Sequence, residues 1–251
     1  MRAGMLQEEL VEDVTFRVRR EAVPLTFDRH VYFINFTEFD QQSPTFLNLV
    51  RDPVDKAVSR FYYNRATSDP RNPDLKYAPS RPPPPSTDLS FERCVLNGDP
   101  ACVYTTGQHY DLTIPYYCGH HNFCTELNNE AALLRAKANV DRYFPVVGVL
   151  EQLNETLAVL ENKLPYFFKG VQSLYFQELL EPHKNRNRKR PQKVQADVRK
   201  IVESSLHKEY DFYYWLQARL LLQYRSERPL PTPTVPKYLK PDMSFGAYNF
   251  L

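Results

Sequence analysis

The period of the apolar positions changes several times along the chain, and each change marks an element. Residues 5–21 are rich in charged residues and predict a charged helix. HVYFINF (30–36) reads as a short β-rich run. FLNLV (46–50) is nearly continuous in apolar residues, the pattern of an inner strand in a parallel sheet. Asp52 then stands where a helix cap is needed, and Pro53 occupies the first helical position, where a missing N–H costs nothing. Val54, Ala57, Val58, Phe61 and Tyr62 recur at helical spacing after it. Strand, tight turn and helix make one half of an α/β unit.

Residues 68–87 are rich in proline and predict an extended surface loop, with a short helix near 89–97 leading into a cysteine-containing segment. A helix is expected over 130–143, a second buried strand over 144–150 and a third helix over 151–164, ending just before Pro165. Residues 183–193 form a basic loop, 194–225 a helix rich in aromatics, and the segment after Arg228 a proline-rich irregular tail. The alternation predicts an α/β fold, a parallel sheet flanked by helices, in one domain over 1–228 followed by the tail 229–251.

Net charge is only +2 over 251 residues, so whole-chain electrostatics do not call for a nucleic-acid partner. Aromatic residues make up 14% of the chain, enough for a substantial core. No run of 18 apolar residues is present, and the charged start lacks the apolar stretch of a secretory signal. The four cysteines change the picture. Cys94 and Cys102 lie eight apart, Cys118 and Cys124 six apart, an even clustered set that fits two short-loop disulfides in an oxidising compartment. A zinc site is the other reading, with His109, His120 and His121 nearby, although neither spacing is a usual ligand pair. Two N-glycosylation sequons, at Asn35 and Asn154, agree with a secretory-pathway lumen.

The chemistry-bearing stretch is FLNLVRDPVDKAVSRFYYNR (46–65). An arginine leaving the C-terminal end of a parallel strand beside a helix N-terminus is placed to hold an anion: guanidinium bonds phosphate bidentately, and the helix end adds N–H groups and partial positive charge. Ser59, two turns on, has a hydroxyl to offer the same group. The alternative from spacing alone is an Arg–Asp surface pair and an ordinary helix serine.

That segment resembles the 3′-phosphate-binding motif of sulfotransferases that use 3′-phosphoadenosine 5′-phosphosulfate. The chain as a whole resembles the Golgi uronosyl 2-O-sulfotransferases, which act on heparan, dermatan or chondroitin sulfate. The resemblance runs over roughly 25–225 in the family's order: FDRHVYFINF, the stretch above, the Cys94/Cys102 pair, IPYYCGHHNFC, LLRAKANVDRYF with VVGVLEQL, LPYFFKGVQSLY and EYDFYYWL. It implies the P-loop-type sulfotransferase fold, no metal, a glycosaminoglycan acceptor, a homo-oligomer, and a membrane-anchored parent in the Golgi.

By this resemblance Arg51 and Ser59 hold the donor's 3′-phosphate, and His30 is the base that takes the proton of the sugar 2-hydroxyl, a role that suits an imidazole at neutral pH. Without the resemblance, a lone histidine opening a strand reads as structural. Tyr175 matches a nucleotide contact, Arg188 falls in the loop corresponding to the family's donor-covering loop, and Arg65 and Arg71 fall where the family meets its polyanionic acceptor. Asp28 stands where some members carry a second histidine, which leaves a single-base mechanism.

The family's lysine-containing donor-sulfate loop is not found before His30, nor is the anchor, so the domain is expected to be N-terminally incomplete. Losing one group that stabilises charge in a transition state commonly costs about 10²–10³ in rate. Two functions follow: a sulfotransferase acting on a uronic acid 2-hydroxyl, or a non-catalytic luminal protein that keeps the acceptor groove. A nucleotide kinase is excluded, because G-x-x-x-x-G-K-[ST] is absent.

Overall fold

Two short strands, β1 (Leu47–Val50) and β2 (Val146–Val149), pair in parallel with Val50 opposite Val149. The computed structural model describes residues 7–21, 23–68, 89–179 and 193–226, with side chains of 64–68 outside that description. Among the described residues this is the whole sheet, and the rest is mostly helical. β2 is buried at every position, as expected of an inner strand. β1 is not: Leu47 is 41% and Leu49 48% exposed, because β1 pairs only with β2 and its other edge carries no described strand. The Leu49 N–H is bonded instead by the neighbouring Asn48 side chain at 2.8 Å.

α1 (Gln7–Glu21) matches the predicted charged helix and buries Leu10, Val11 and Val14 against Ile34 and Phe36 in a small core of its own. HVYFINF is a correction. It forms no strand; the Phe33 N–H bonds the Tyr116 carbonyl at 3.0 Å, and a 3-10 turn follows over Phe36–Phe39. The physical reason is that its side chains serve two cores. Phe33 packs with Phe46, Tyr143 and Phe144 in the main core, while Ile34 and Phe36 face α1.

α2 (Pro53–Ser68) starts as the sequence predicts: the Asp55 N–H bonds Asp52 Oδ1 at 3.0 Å, so Asp52 is the cap. α3 (Phe91–Leu96) and α4 (Ile114–Cys118) bracket the cysteine segment. Both disulfides are formed, Cys94–Cys102 and Cys118–Cys124, and all four cysteines lie in the core, which decides between disulfides and zinc. α5 (Glu130–Tyr143), capped by Asn129, leads into β2. After β2, α6 (Leu153–Lys163) is secured by Thr156, whose hydroxyl accepts from the Val149 N–H at 2.9 Å and donates to the Val149 carbonyl at 3.1 Å. Gly148 is required there, since a Cβ would come within 2.4 Å of Thr156 Cγ2 and 2.8 Å of Leu49 Cδ1.

Two one-turn helices follow, α7 (Pro165–Phe168) and α8 (Val171–Leu174), then a wide turn over Tyr175–Leu179. The segment 194–225, expected to be helical, is so in two pieces: α9 (Ala196–Ser205) and α10 (His207–Ser226). Asn128 explains the break. Held at φ 61°, it donates to the Ser205 carbonyl at 2.9 Å and accepts the Lys208 N–H at 3.2 Å, bonding both sides of the interruption. Unmet helix-end groups are thereby satisfied from outside the helix. The proline-rich loop, most of the basic loop and the tail 229–251 lie outside the described residues.

Candidate active site

The C-terminal ends of the two parallel strands meet one another's loops, the place where open parallel sheets gather ligands. Arg51 and Asp52 follow β1; Glu151 follows β2 and accepts the Asp52 N–H at 3.0 Å. From α10, the Tyr213 hydroxyl donates to Glu151 at 3.1 Å and the Tyr210 hydroxyl to Asp52 at 3.1 Å. Burial and then the neighbouring carboxylates, Asp52 for Tyr210 and Glu151 for Tyr213, hold both phenols well above the ordinary tyrosine range, so both remain donors. From α9, Arg199 bonds Asp52 at 2.7 Å, Asp55 at 3.2 Å and Glu203 at 2.8 Å.

Arg51 is the exception in this network. Its Nη2 stands 3.8 Å from Asp55, beyond hydrogen-bond range, and its Nε is buried with no hydrogen-bond partner. A buried N–H without an acceptor costs about 1–3 kcal/mol, which a bound anion would recover. The helix end contributes less than expected, because the Asp55 amide is taken by Asp52. An anion here is met by guanidinium rather than by first-turn amides.

A second cluster lies further along α2. Lys56 Nζ donates to the Leu112 carbonyl at 2.8 Å and sits 5.2 Å over the Tyr116 ring; burial pulls its pKa down, with Glu209 and Asp111 opposing. Arg60 pairs with Asp111 at 3.1 Å. The other side of Tyr116 meets Tyr32 edge-on at 5.2 Å, and Tyr32 in turn lies 5.6 Å from His120. Burial, then Asp111, pushes the Tyr32 phenol up to about 12. Gly119 permits this approach: its φ is +106°, and a Cβ there would meet the Phe33 carbonyl at 3.1 Å.

His30 is exposed, two residues before Tyr32, so the contacts Tyr32–Tyr116–Lys56 tie its segment to the helix that Arg51 precedes. Ser59 is half-buried on α2. Tyr175 opens the wide turn after α8, half-buried, with its ring edge-on to Phe176 at 5.3 Å. Arg65 lies on α2 with its side chain outside the description, and Arg71 and Arg188 lie outside the described residues. Asn35 caps the turn at Phe36 by accepting from Thr37, and Asn154 is exposed on α6. Arg199, Tyr210, Tyr213 and Glu151 escaped sequence reading. The i,i+3 spacing of Tyr210 and Tyr213 was the available signal, since it sets both phenols on one helix face.

No protein-family model matches the chain. Relatives do. A uronyl 2-sulfotransferase homologue of Drosophila melanogaster is 34% identical over 231 residues, 87% of this chain and 44% of the relative. Human uronyl 2-sulfotransferase is 31% identical over 232 residues, 86% of this chain and 52% of the relative. A heparan sulfate 2-O-sulfotransferase of Xenopus laevis is 31% identical over 196 residues, 77% of this chain and 52% of the relative. The chain spans about half the length of the curated relatives it matches. With likeness of this extent running through both strand ends and the disulfide segment, the chain belongs to the family of uronyl and heparan sulfate 2-O-sulfotransferases.

Proposed function

We propose that the chain carries the donor-phosphate and base portion of a sulfotransferase that moves sulfate from 3′-phosphoadenosine 5′-phosphosulfate to the 2-hydroxyl of a uronic acid in a glycosaminoglycan. The observation that carries this reading is the buried Arg51 Nε, unbonded at the end of a parallel strand within a family of sulfotransferases. Arg51 and Ser59 bind the donor's 3′-phosphate, with Tyr175 and Arg188 at the nucleotide and Arg65 and Arg71 at the acceptor. His30 takes the 2-hydroxyl proton as that oxygen attacks sulfur; the sulfur–oxygen bond to the donor phosphate breaks, and 3′-phosphoadenosine 5′-phosphate leaves.

The fold we assign is the P-loop-type sulfotransferase fold. The edge of β1 that no described strand covers, with Leu47 and Leu49 exposed, supports it, as a further parallel strand carrying the donor-sulfate loop would pair there. Buried disulfides support residence in an oxidising lumen, which we assign to the Golgi, with the parent protein membrane-anchored, oligomeric and glycosylated at Asn35 and Asn154.

The test is transfer of labelled sulfate from 3′-phosphoadenosine 5′-phosphosulfate to 2-O-desulfated heparan or dermatan sulfate, by this chain and by the longest product of its gene. His30→Ala is expected to abolish transfer while binding of 3′-phosphoadenosine 5′-phosphate persists. Arg51→Ala is expected to weaken that binding about 10- to 100-fold, the scale of a charged hydrogen-bonding group. Product binding without transfer by either form would favour a non-catalytic luminal protein, and transfer undiminished by His30→Ala would remove the base.

A further inference from the structure

Six charged groups gather at the ends of β1 and β2: the guanidiniums of Arg51 and Arg199 against the carboxylates of Asp52, Asp55, Glu151 and Glu203. Such a surplus of negative charge is hostile to a phosphate unless the carboxylates are occupied. Glu151 is occupied by the Asp52 amide and the Tyr213 hydroxyl. The remaining three converge on one side chain. Arg199 reaches Asp52 at 2.7 Å through Nη2, Asp55 at 3.2 Å through Nη1, and Glu203 at 2.8 Å through Nε.

Asp55 is the point of competition. It lies one helical turn from Arg51, the spacing at which an acid and a base on a helix pair readily. Yet its pair with Arg51 is loose, 3.8 Å through Oδ2 and beyond hydrogen-bond range, while Arg199 hydrogen-bonds Oδ1 at 3.2 Å. We infer that Arg199 is a positioning residue for anion binding: by holding Asp55 and Asp52 it keeps the loose Arg51–Asp55 ion pair from tightening into a hydrogen-bonded one and leaves that guanidinium available to the donor's 3′-phosphate. The inference rests on the reading of Arg51 as the phosphate ligand. Arg199 itself does not touch the phosphate in this scheme. It acts by taking the rival anion, a task that suits arginine because one planar fork can bond several carboxylates at once.

The test is equilibrium binding of 3′-phosphoadenosine 5′-phosphate to the full chain. Wild type is expected to bind and Arg51→Ala to lose most of that affinity; if wild type does not bind, or Arg51→Ala binds equally, the phosphate reading falls and this inference with it. With that reading standing, Arg199→Ala is expected to weaken binding about fivefold, the scale of one partly exposed ion pair gained by Arg51 against its ligand. Adding Asp55→Asn to Arg199→Ala is expected to restore affinity to within about twofold of wild type, which a merely structural role for Arg199 would not do. Unchanged binding by Arg199→Ala, or a loss that Asp55→Asn does not repair, overturns the inference and leaves the phosphate reading intact. Should Arg199→Ala fail to fold, Asp55→Asn alone decides: with Arg199 already holding that carboxylate, affinity should stay within about twofold, and a gain of about fivefold would show Asp55 still competing for Arg51 and overturn the proposal.

Discussion

Tyr117 and Glu209 illustrate opposite fates of a buried polar group. Glu209 is fully buried yet meets three donors: the Tyr110 hydroxyl at 2.6 Å, the Ile114 amide at 2.8 Å and the Thr113 amide at 3.0 Å. It anchors the start of α4, and through it the Tyr116 ring that joins Lys56 to Tyr32. Removing it leaves those donors unmet, so Glu209→Ala should cost about 3 kcal/mol or more, measured by denaturant unfolding. Tyr117 is equally buried, but its hydroxyl has no hydrogen-bond partner, while its ring packs at 5.1 Å from both Phe144 and Phe212. Tyr117→Phe keeps the packing and removes the unmet group. Its midpoint of thermal unfolding should therefore equal or exceed wild type, and a clear drop would show that the hydroxyl has a partner in solution.

At the scale of elements, the join between β2 and α6 is closely packed. Gly148 faces Thr156 and Leu49 with no room for a methyl group, so Gly148→Ala should destabilise by about 1–3 kcal/mol through overpacking. Thr156→Val should also destabilise, because the Val149 N–H and C=O lose the hydroxyl that bonds them both. Either variant retaining wild-type stability would mean that the join relaxes freely. Much at this scale was legible beforehand. Asp52–Pro53 and the runs VVGV and LNLV announce themselves by residue type and local spacing. The break between α9 and α10 was not, because its cause, Asn128, lies about eighty positions earlier in the chain.

Across the whole molecule, the two disulfides and the buried phenols set the response to reductant and to pH. All four sulfurs lie in the main core, so opening Cys118–Cys124 by Cys118→Ala with Cys124→Ala should cost about 2–3 kcal/mol, seen as a lowered unfolding midpoint. The tyrosines act in alkali. Tyr32 and Tyr104 are pushed up to about 12, and Tyr110, Tyr210 and Tyr213 higher still, by burial first and nearby carboxylates second for all but Tyr104, where Arg60 partly opposes. A phenol raised in the folded state stabilises the fold fully below pH 10, its unfolded value, and that contribution is lost as pH rises through the folded pKa. Ultraviolet titration should therefore show these phenols ionising only above pH 10, together with unfolding; their ionisation at pH 10 with the fold intact would contradict this packing.

Residue type and spacing alone determined the longer helices, the Asp52 cap, the two strands and the family's ordered motifs, because each is written within a few turns of chain. Tertiary structure decided the rest. It left β1 with one edge that no described strand covers, divided HVYFINF between two cores, and brought Arg199, Tyr210, Tyr213 and Glu151 to the ends of β1 and β2. The partners Asp52 and Arg199 are 147 residues apart. Pairing of opposite charges over such distances leaves no period in a single sequence, since any arginine on a helix surface looks alike until the fold shows which carboxylates it faces.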